Sequence, residues 1–181
     1  MLPVAMADAE EEDLVIYHPN RQKAASKANK AVVVLLLLAT AGLVLIVTVG
    51  GWHNLQGAQV VSIAYVIIFC VMAYYVARWQ RGVLPVAAAL AVILLVFSAI
   101  AAPGWFDRDH TGYNQSGLAP SLIGMLCLIL IPVEFLLITF AMRGFTQQWN
   151  VEIEMTREEY DHRMRGGGGY GGYSPQPQGP Y

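Results

Sequence analysis

Glu134 is the residue of this chain with the clearest capacity for chemistry, because it is an acidic side chain inside a long apolar segment. A charged group at the middle of a membrane costs on the order of 2.5–3.5 kcal/mol, so such acids bind cations, carry protons or stay protonated and hydrogen bonded to a neighbouring helix. The apolar segments hold no second acid and no Lys, Arg or His that could pass a proton on. This pattern favours a protonated packing residue, with proton or cation handling as the alternative.

Two other residues belong to this candidate site. Pro132 lacks a backbone N–H and clashes with the carbonyl four residues earlier, so it predicts a helix kink and frees the carbonyl oxygen of Leu128. Counted inward from the ends of their segments, Thr40 and Cys70 reach about the same depth as Glu134. A threonine hydroxyl can donate to a carboxyl oxygen, so Thr40 is the predicted partner. The candidate polar site in the membrane comprises Glu134, Thr40 and Pro132.

Four apolar segments must position these side chains: residues 31–50, 58–77, 83–102 and 119–141. Each has about the 20 residues that an α-helix needs to cross a ~30 Å hydrocarbon layer. In lipid every backbone N–H and C=O needs a partner within the protein, which a helix supplies inside one segment. The predicted fold is an all-α membrane protein, a four-transmembrane-helix bundle.

The same pattern divides the chain into four parts. Residues 1–30 form an N-terminal tail, acidic and then basic, and residues 31–141 form the four-helix transmembrane domain. Residues 142–165 follow as a juxtamembrane segment. Residues 166–181 are rich in Gly, Pro and Tyr and contain no aliphatic side chain, so they are predicted to be a disordered tail.

Positive charge is distributed unevenly across the predicted spans. Ten of the eleven Lys and Arg residues lie on one side, and only Arg108 lies on the other. Positive residues near span ends stay in the cytoplasm, so both termini are predicted to be cytoplasmic. The ten residues are Arg21, Lys23, Lys27, Lys30, Arg78, Arg81, Arg143, Arg157, Arg163 and Arg165.

Aromatic residues lie near both ends of the apolar segments, at the depth where rings with a polar edge settle among lipid headgroups. We interpret them as generic interfacial anchors. The outer set is Trp52, Trp105, Phe106 and Tyr113, and the inner set is Tyr74, Tyr75, Trp79 and Trp149.

Small residues favour close packing of the third segment. Ala87 and Ala91 are four residues apart, a spacing that lets helix backbones approach each other, and it predicts a central place for the third helix.

Cys127 is expected about two turns nearer the outside than Cys70, or roughly 10 Å, so the two thiols are not expected to pair.

The segments next to the membrane show two local patterns. The run 21–30 is basic and rich in Ala, which predicts a helical extension of the first span with Asn20 as its N-cap. Residues 149–155 alternate apolar and polar, which predicts a short strand, and Thr156 with Glu159 forms a capping box that opens a helix to about Arg165. This piece is too small to bury a core alone, so it is expected to lie on the membrane or dock on a partner.

No motif indicates an enzyme. The chain lacks a nucleotide-binding loop, a zinc motif and a hydrolytic triad, and its four His residues all lie outside the apolar segments. Asp107, Asp109 and His110 offer metal ligands without companions at a recognised spacing, so no metal is predicted. A formal net charge of −2 gives no reason to expect a nucleic-acid partner. We predict no catalytic residue and no cofactor.

These observations predict a structural or accessory subunit of a larger membrane assembly, with the lipid bilayer and other membrane proteins as partners and no identifiable small-molecule substrate. The alternative is a small transporter or proton-coupled membrane protein centred on Glu134. Because the chain shows no secretory or organellar signal and the apolar segments are rich in Ala and Val, the expected location is a bacterial plasma membrane.

Overall fold

The computed structural model describes residues 14–113 and 116–165, and its main elements are four long helices. They are α1 (Ala24–Gly50), α2 (Ala58–Ala77), α3 (Val83–Phe106) and α4 (Pro120–Thr146). All four are long and apolar enough to cross a membrane, which confirms the predicted number of apolar helices. α2 has the predicted bounds, whereas α1 starts earlier and α3 and α4 end later than the apolar segments do.

The N-terminal end of α1 confirms the predicted basic extension over residues 24–30, because good helix formers such as Ala and Lys continue the helix beyond the apolar segment. The predicted cap is wrong. Lys23 occupies the N-cap position of α1, while Asn20 lies in a separate helical turn, Pro19–Gln22. The Asn20 side chain instead donates from Nδ2 to the carbonyl oxygen of Gln148 over 3.0 Å.

The described chain divides into two compact units, and residues 20–151 form the helical unit. Within it, α4 makes its most extensive contact with α3, and α1 makes its most extensive contact with α2. α1 also packs against α4, whereas α2 and α3 make few contacts with each other. The inner pair is therefore α1 and α4, and the prediction of a central third helix is wrong. Ala87 and Ala91 are fully buried nevertheless, and such small residues allow α3 to approach a neighbouring helix closely.

The helical unit buries one face of each helix and exposes large apolar side chains on the other. Leu35 is 66% exposed, Val60 74% and Ile100 72%. A surface of this kind is unfavourable in water and suits contact with lipid tails. The fully buried apolar residues of the core include Val33, Leu37, Phe69, Leu84 and Leu137.

Trp149 is fully buried in the helical unit, so its interpretation as an interfacial anchor is wrong. Its ring packs edge-on against Trp79, with centroids 5.3 Å apart, and its Nε1–H donates to Gln147 Oε1 over 2.9 Å. Asn29 and Gly144 lie in the same group. We call Trp149, Trp79, Asn29 and Gly144 the Trp149 cluster; it ties the start of α1 and the chain after α2 to the end of α4.

Trp105 is the second predicted anchor that lies in the protein interior. It is 4% exposed and packs in a small core with Ala102, Ile123 and Cys127. Trp52, in contrast, is 44% exposed, as an interfacial ring should be. Both buried and exposed aromatic residues therefore lie near the ends of the apolar segments.

Replacing Gly144 by Ala is expected to destabilise the helical unit by about 1 kcal/mol, because overpacking forces a dense core to shift. A Cβ at this position would lie 2.8 Å from Asn29 Nδ2, 3.0 Å from Leu84 Cδ1 and 3.1 Å from Trp149 Cζ2. Asn29 is not free to move, since its Nδ2 donates to the carbonyl oxygen of Phe140 over 3.0 Å. Thermal unfolding of the purified variant in detergent measures the loss.

Gly42→Ala is the matched control for this substitution. Gly42 also lies inside a long helix, and a Cβ there meets nothing within 4 Å. Since Ala stabilises a helix relative to Gly by about 1 kcal/mol, this variant should keep or increase the midpoint of unfolding. Equal losses in the two variants would contradict close packing around Gly144.

The second unit contains a two-stranded antiparallel sheet. β1 (Leu14–Tyr17) pairs with β2 (Ile153–Thr156), and Val15 lies opposite Met155. The strand predicted from alternation is therefore present, but it is shorter than the alternating run. Its partner is β1 of the same chain, which the sequence did not reveal as a strand.

α5 (Arg157–Arg165) follows β2 directly. The backbone N–H of Glu159 donates to Thr156 Oγ1 over 3.4 Å, so the Thr half of the predicted capping box is present. Within the juxtamembrane segment, β2 thus pairs with a strand of the same chain. The predicted disordered tail, residues 166–181, lies outside the described residues, as does the acidic run 10–13.

Candidate functional site at Glu134

Glu134 on α4 and Thr40 on α1 face each other, and both are fully buried. Thr40 Oγ1 donates a hydrogen bond to Glu134 Oε1 over 2.8 Å, the contact that the count of depth predicts. This distance is typical of a well-formed O–H···O bond. The pair therefore joins the two inner helices of the unit.

The local sequence explains why this acid points inward. Residues three and four apart on a helix share a face, and Glu134 takes one place in such a buried stripe along α4. Its neighbours in the stripe are apolar, so the carboxyl group is surrounded mostly by side chains that offer it no hydrogen bond. The buried members of this stripe are Cys127, Leu130, Glu134, Leu137 and Ala141.

The second carboxyl oxygen of Glu134, Oε2, is buried and makes no hydrogen bond to any described residue. Tyr65 on α2 is 9% exposed and lies close enough to Glu134 for a Coulombic interaction between the two side chains. An unpaired buried polar atom costs about 1–3 kcal/mol, and Glu134 Oε2 keeps hydrogen-bonding capacity that none of the described residues uses.

The count of depth does not identify Tyr65, because it compares backbone positions only. It comes more than one helical turn before Cys70, the residue of α2 at the predicted depth. A tyrosine carries its hydroxyl at the end of a long side chain, so it can act away from the level of its own backbone. A polar ring in the middle of an apolar segment was the available signal.

Pro132 and Cys70 do not face this site. Residues two apart on a helix point about 200° apart, so Pro132 and Glu134 lie on opposite faces of α4. Pro132 is exposed, and so is Leu128, whose carbonyl oxygen loses its usual donor to the proline. Cys70 is also exposed. α4 continues as one helix through Pro132, and the expected kink stays a prediction.

The site therefore combines one carboxyl group, one hydroxyl group and one nearby phenol. Such a set can hold a single proton or join helices by hydrogen bonds. Among residues 14–113 and 116–165, no group of three or more His, Cys, Asp or Glu side chains could hold a metal ion. In the loop after α3, His110 stacks edge-on against Tyr113, with ring centroids 5.8 Å apart.

The four apolar helices are compatible with a polytopic membrane protein. No family model, curated protein or solved structure matches this chain. The contacts within the chain are therefore the basis for the function proposed below.

Proposed function

We propose that this chain is a structural or accessory subunit of a larger membrane assembly, in which the hydrogen bond between Thr40 and Glu134 holds α1 against α4. The supporting observation is the isolation of Glu134, which is 0% exposed. The four long helices carry no other Asp, Glu or His, and their few Lys and Arg residues lie near helix ends. A proton relay needs a series of such groups, whereas a helix contact needs only one.

The second unit supports the assembly part of this proposal. A two-stranded sheet is marginally stable by itself in water. In its described part only Met155 is buried, at 5% exposure, while Ile16 is 56% exposed. A unit with so little core gains stability by binding to another surface, and a neighbouring subunit would provide one.

Affinity purification of the full chain in mild detergent, followed by mass spectrometry, tests the proposal. We expect partners in fixed stoichiometry that survive dilution. Ile16→Asp is a useful variant, because it changes an exposed strand residue without touching Glu134, and it should reduce recovery of any partner that docks on the sheet. Recovery of the chain alone from native membranes, with its fold intact, would count against an assembly role.

A second candidate function is a small transporter or proton-coupled protein centred on Glu134. It is favoured by one specific observation, the lack of a hydrogen-bond partner for buried Glu134 Oε2 among the described residues. Intramembrane acids with unused hydrogen-bonding capacity are candidates for proton or cation binding. Since the four long helices contain no second acid, we rank this function below the structural one.

We also propose a plasma-membrane location with both termini in the cytoplasm. Ten of eleven basic residues support this orientation, which predicts the signal of reporter fusions. Fusions after Arg81 and Tyr181 should report cytoplasm, and fusions within residues 51–57 or 103–118 should report the opposite side. A C-terminal reporter on the outer side would refute the orientation.

A further inference from the structure

Along one partly exposed face of α1, the side chains change from cationic to aliphatic. Lys27, Lys30, Val34 and Leu38 follow each other at spacings of three and four residues, so they lie on the same side of the helix. The two lysines come near the start of α1 and the two aliphatic residues come further into the apolar segment. The stripe therefore complements a phospholipid with a negatively charged headgroup. The lysines lie where the headgroup would be, and the aliphatic residues lie where an acyl chain would be.

An open groove of about 650 Å³ lies along this stripe. Lys30 stands in it together with Val34, Leu38, Ala39 and, from the end of α2, Ala77. Apart from the ammonium group the lining is aliphatic, and Leu38 is 50% exposed. The groove extends from Lys30 to Ala39, or roughly 13 Å of helix axis, which is long enough for a large part of an acyl chain.

The ammonium group of Lys30 makes two contacts with the chain at and just after the end of α2. Its Nζ donates to the carbonyl oxygen of Ala77 over 3.3 Å and lies 4.1 Å from the centroid of the Trp79 ring. Trp79 has a positive φ of 65°, a conformation that L residues rarely adopt, and its ring is fixed against Trp149. An ammonium group has three donors, so Lys30 keeps donors for an anion.

We propose that this groove binds an anionic phospholipid of the bilayer, with its phosphate on Lys30 and one acyl chain along Val34 and Leu38. Charge complementarity favours this ligand over an apolar helix of another subunit, which would leave the remaining donors of Lys30 without partners. Lys27, one turn nearer the helix start and exposed, adds a second charge that favours an anionic headgroup over a zwitterionic one.

Native mass spectrometry of the purified full chain tests this site, with equal amounts of phosphatidylglycerol and phosphatidylcholine offered in detergent micelles. We expect wild-type protein to retain the anionic lipid over the zwitterionic one by about fivefold or more, the effect of one well-placed cation. Lys30→Gln should abolish most of this preference, and Lys30→Arg should keep it. Val34→Trp, which fills the groove but keeps both lysines, should reduce retention of the anionic lipid.

Arg143→Gln is the matched control, because Arg143 is an exposed cation near the end of a different long helix. Its preference should equal that of wild type. Equal retention of the two lipids by wild type would overturn the proposal, as would an unchanged preference in Lys30→Gln, or a loss of the same size in Arg143→Gln. A dimer of this chain that dissociates in Val34→Trp would also overturn it, since a second copy would then be the occupant. If Lys30→Gln does not fold, the comparison of Val34→Trp with wild type decides.

Discussion

Replacing Trp149 by Ala should lower the free energy of unfolding of the helical unit by about 3–5 kcal/mol, the usual cost of removing a large buried aromatic side chain. The ring is 0% exposed and packs edge-on against Trp79. The backbone at the same position is also used, since Arg21 donates from Nε to the Trp149 carbonyl oxygen over 3.0 Å. Unfolding of the purified variant in detergent, followed by circular dichroism, measures the loss.

Trp52→Ala is the control, because it removes the same side chain from a position that is 44% exposed. Surface substitutions change stability by about 0.5 kcal/mol or less, so this variant should unfold close to wild type. If Trp149→Ala were as stable as Trp52→Ala, the ring of Trp149 would lie at the membrane interface and the Trp149 cluster would not exist.

Trp149 also shows where sequence reasoning ends. Hydropathy predicts that a segment enters the membrane, because the free energy of its transfer into lipid depends on the length of the segment and on the side chains it contains. It does not predict which face of the helix meets another helix, since α2 and α3 are apolar on all sides. Trp149 and Trp105 therefore resembled Trp52, although only Trp52 of these three is exposed.

The pairing of β1 with β2 could not be predicted from the sequence either. The alternation in residues 149–155 predicts a strand, but a strand needs a partner, and β1 lies more than 130 positions earlier in the chain. Four residues of apolar and aromatic type, Leu14–Tyr17, are too short a pattern to identify by themselves. The capping pattern at Thr156 can be identified from the sequence, since all of its atoms lie within one turn.

The contact between Thr40 and Glu134 could be predicted because both constraints on it are simple. Burial of an acid in lipid requires a hydrogen-bond partner, and the fixed rise of a helix gives the depth of each candidate. Depth alone does not give the face of a helix, and Cys70, which lies at about the predicted depth of Glu134, is exposed. Pro132, which belongs to the predicted site because of its expected kink, is exposed as well.

Glu134→Leu should weaken the association of α1 with α4 by about 0.6–1.7 kcal/mol, the range measured for hydrogen bonds between membrane helices. The cost is limited because the Thr40 hydroxyl can turn to a carbonyl oxygen of its own helix, as Thr48 Oγ1 already does with Val44. Thr48→Val is the matched control. It removes a buried hydroxyl that bonds only within α1, so it should leave the association of the helices unchanged.

Glu134→Gln distinguishes the two candidate functions in one protein. Gln has nearly the same size as Glu, and its Oε1 can accept the same bond from Thr40, so a packing residue survives this change with assembly and stability intact. A proton carrier does not survive it, because an amide neither gains nor loses a proton at physiological pH. We expect the purified Gln variant to retain its partners, to unfold at or above the wild-type midpoint and to support the cellular phenotype. A variant that folds and assembles but is inactive would overturn the structural function and assign Glu134 to proton or cation transport.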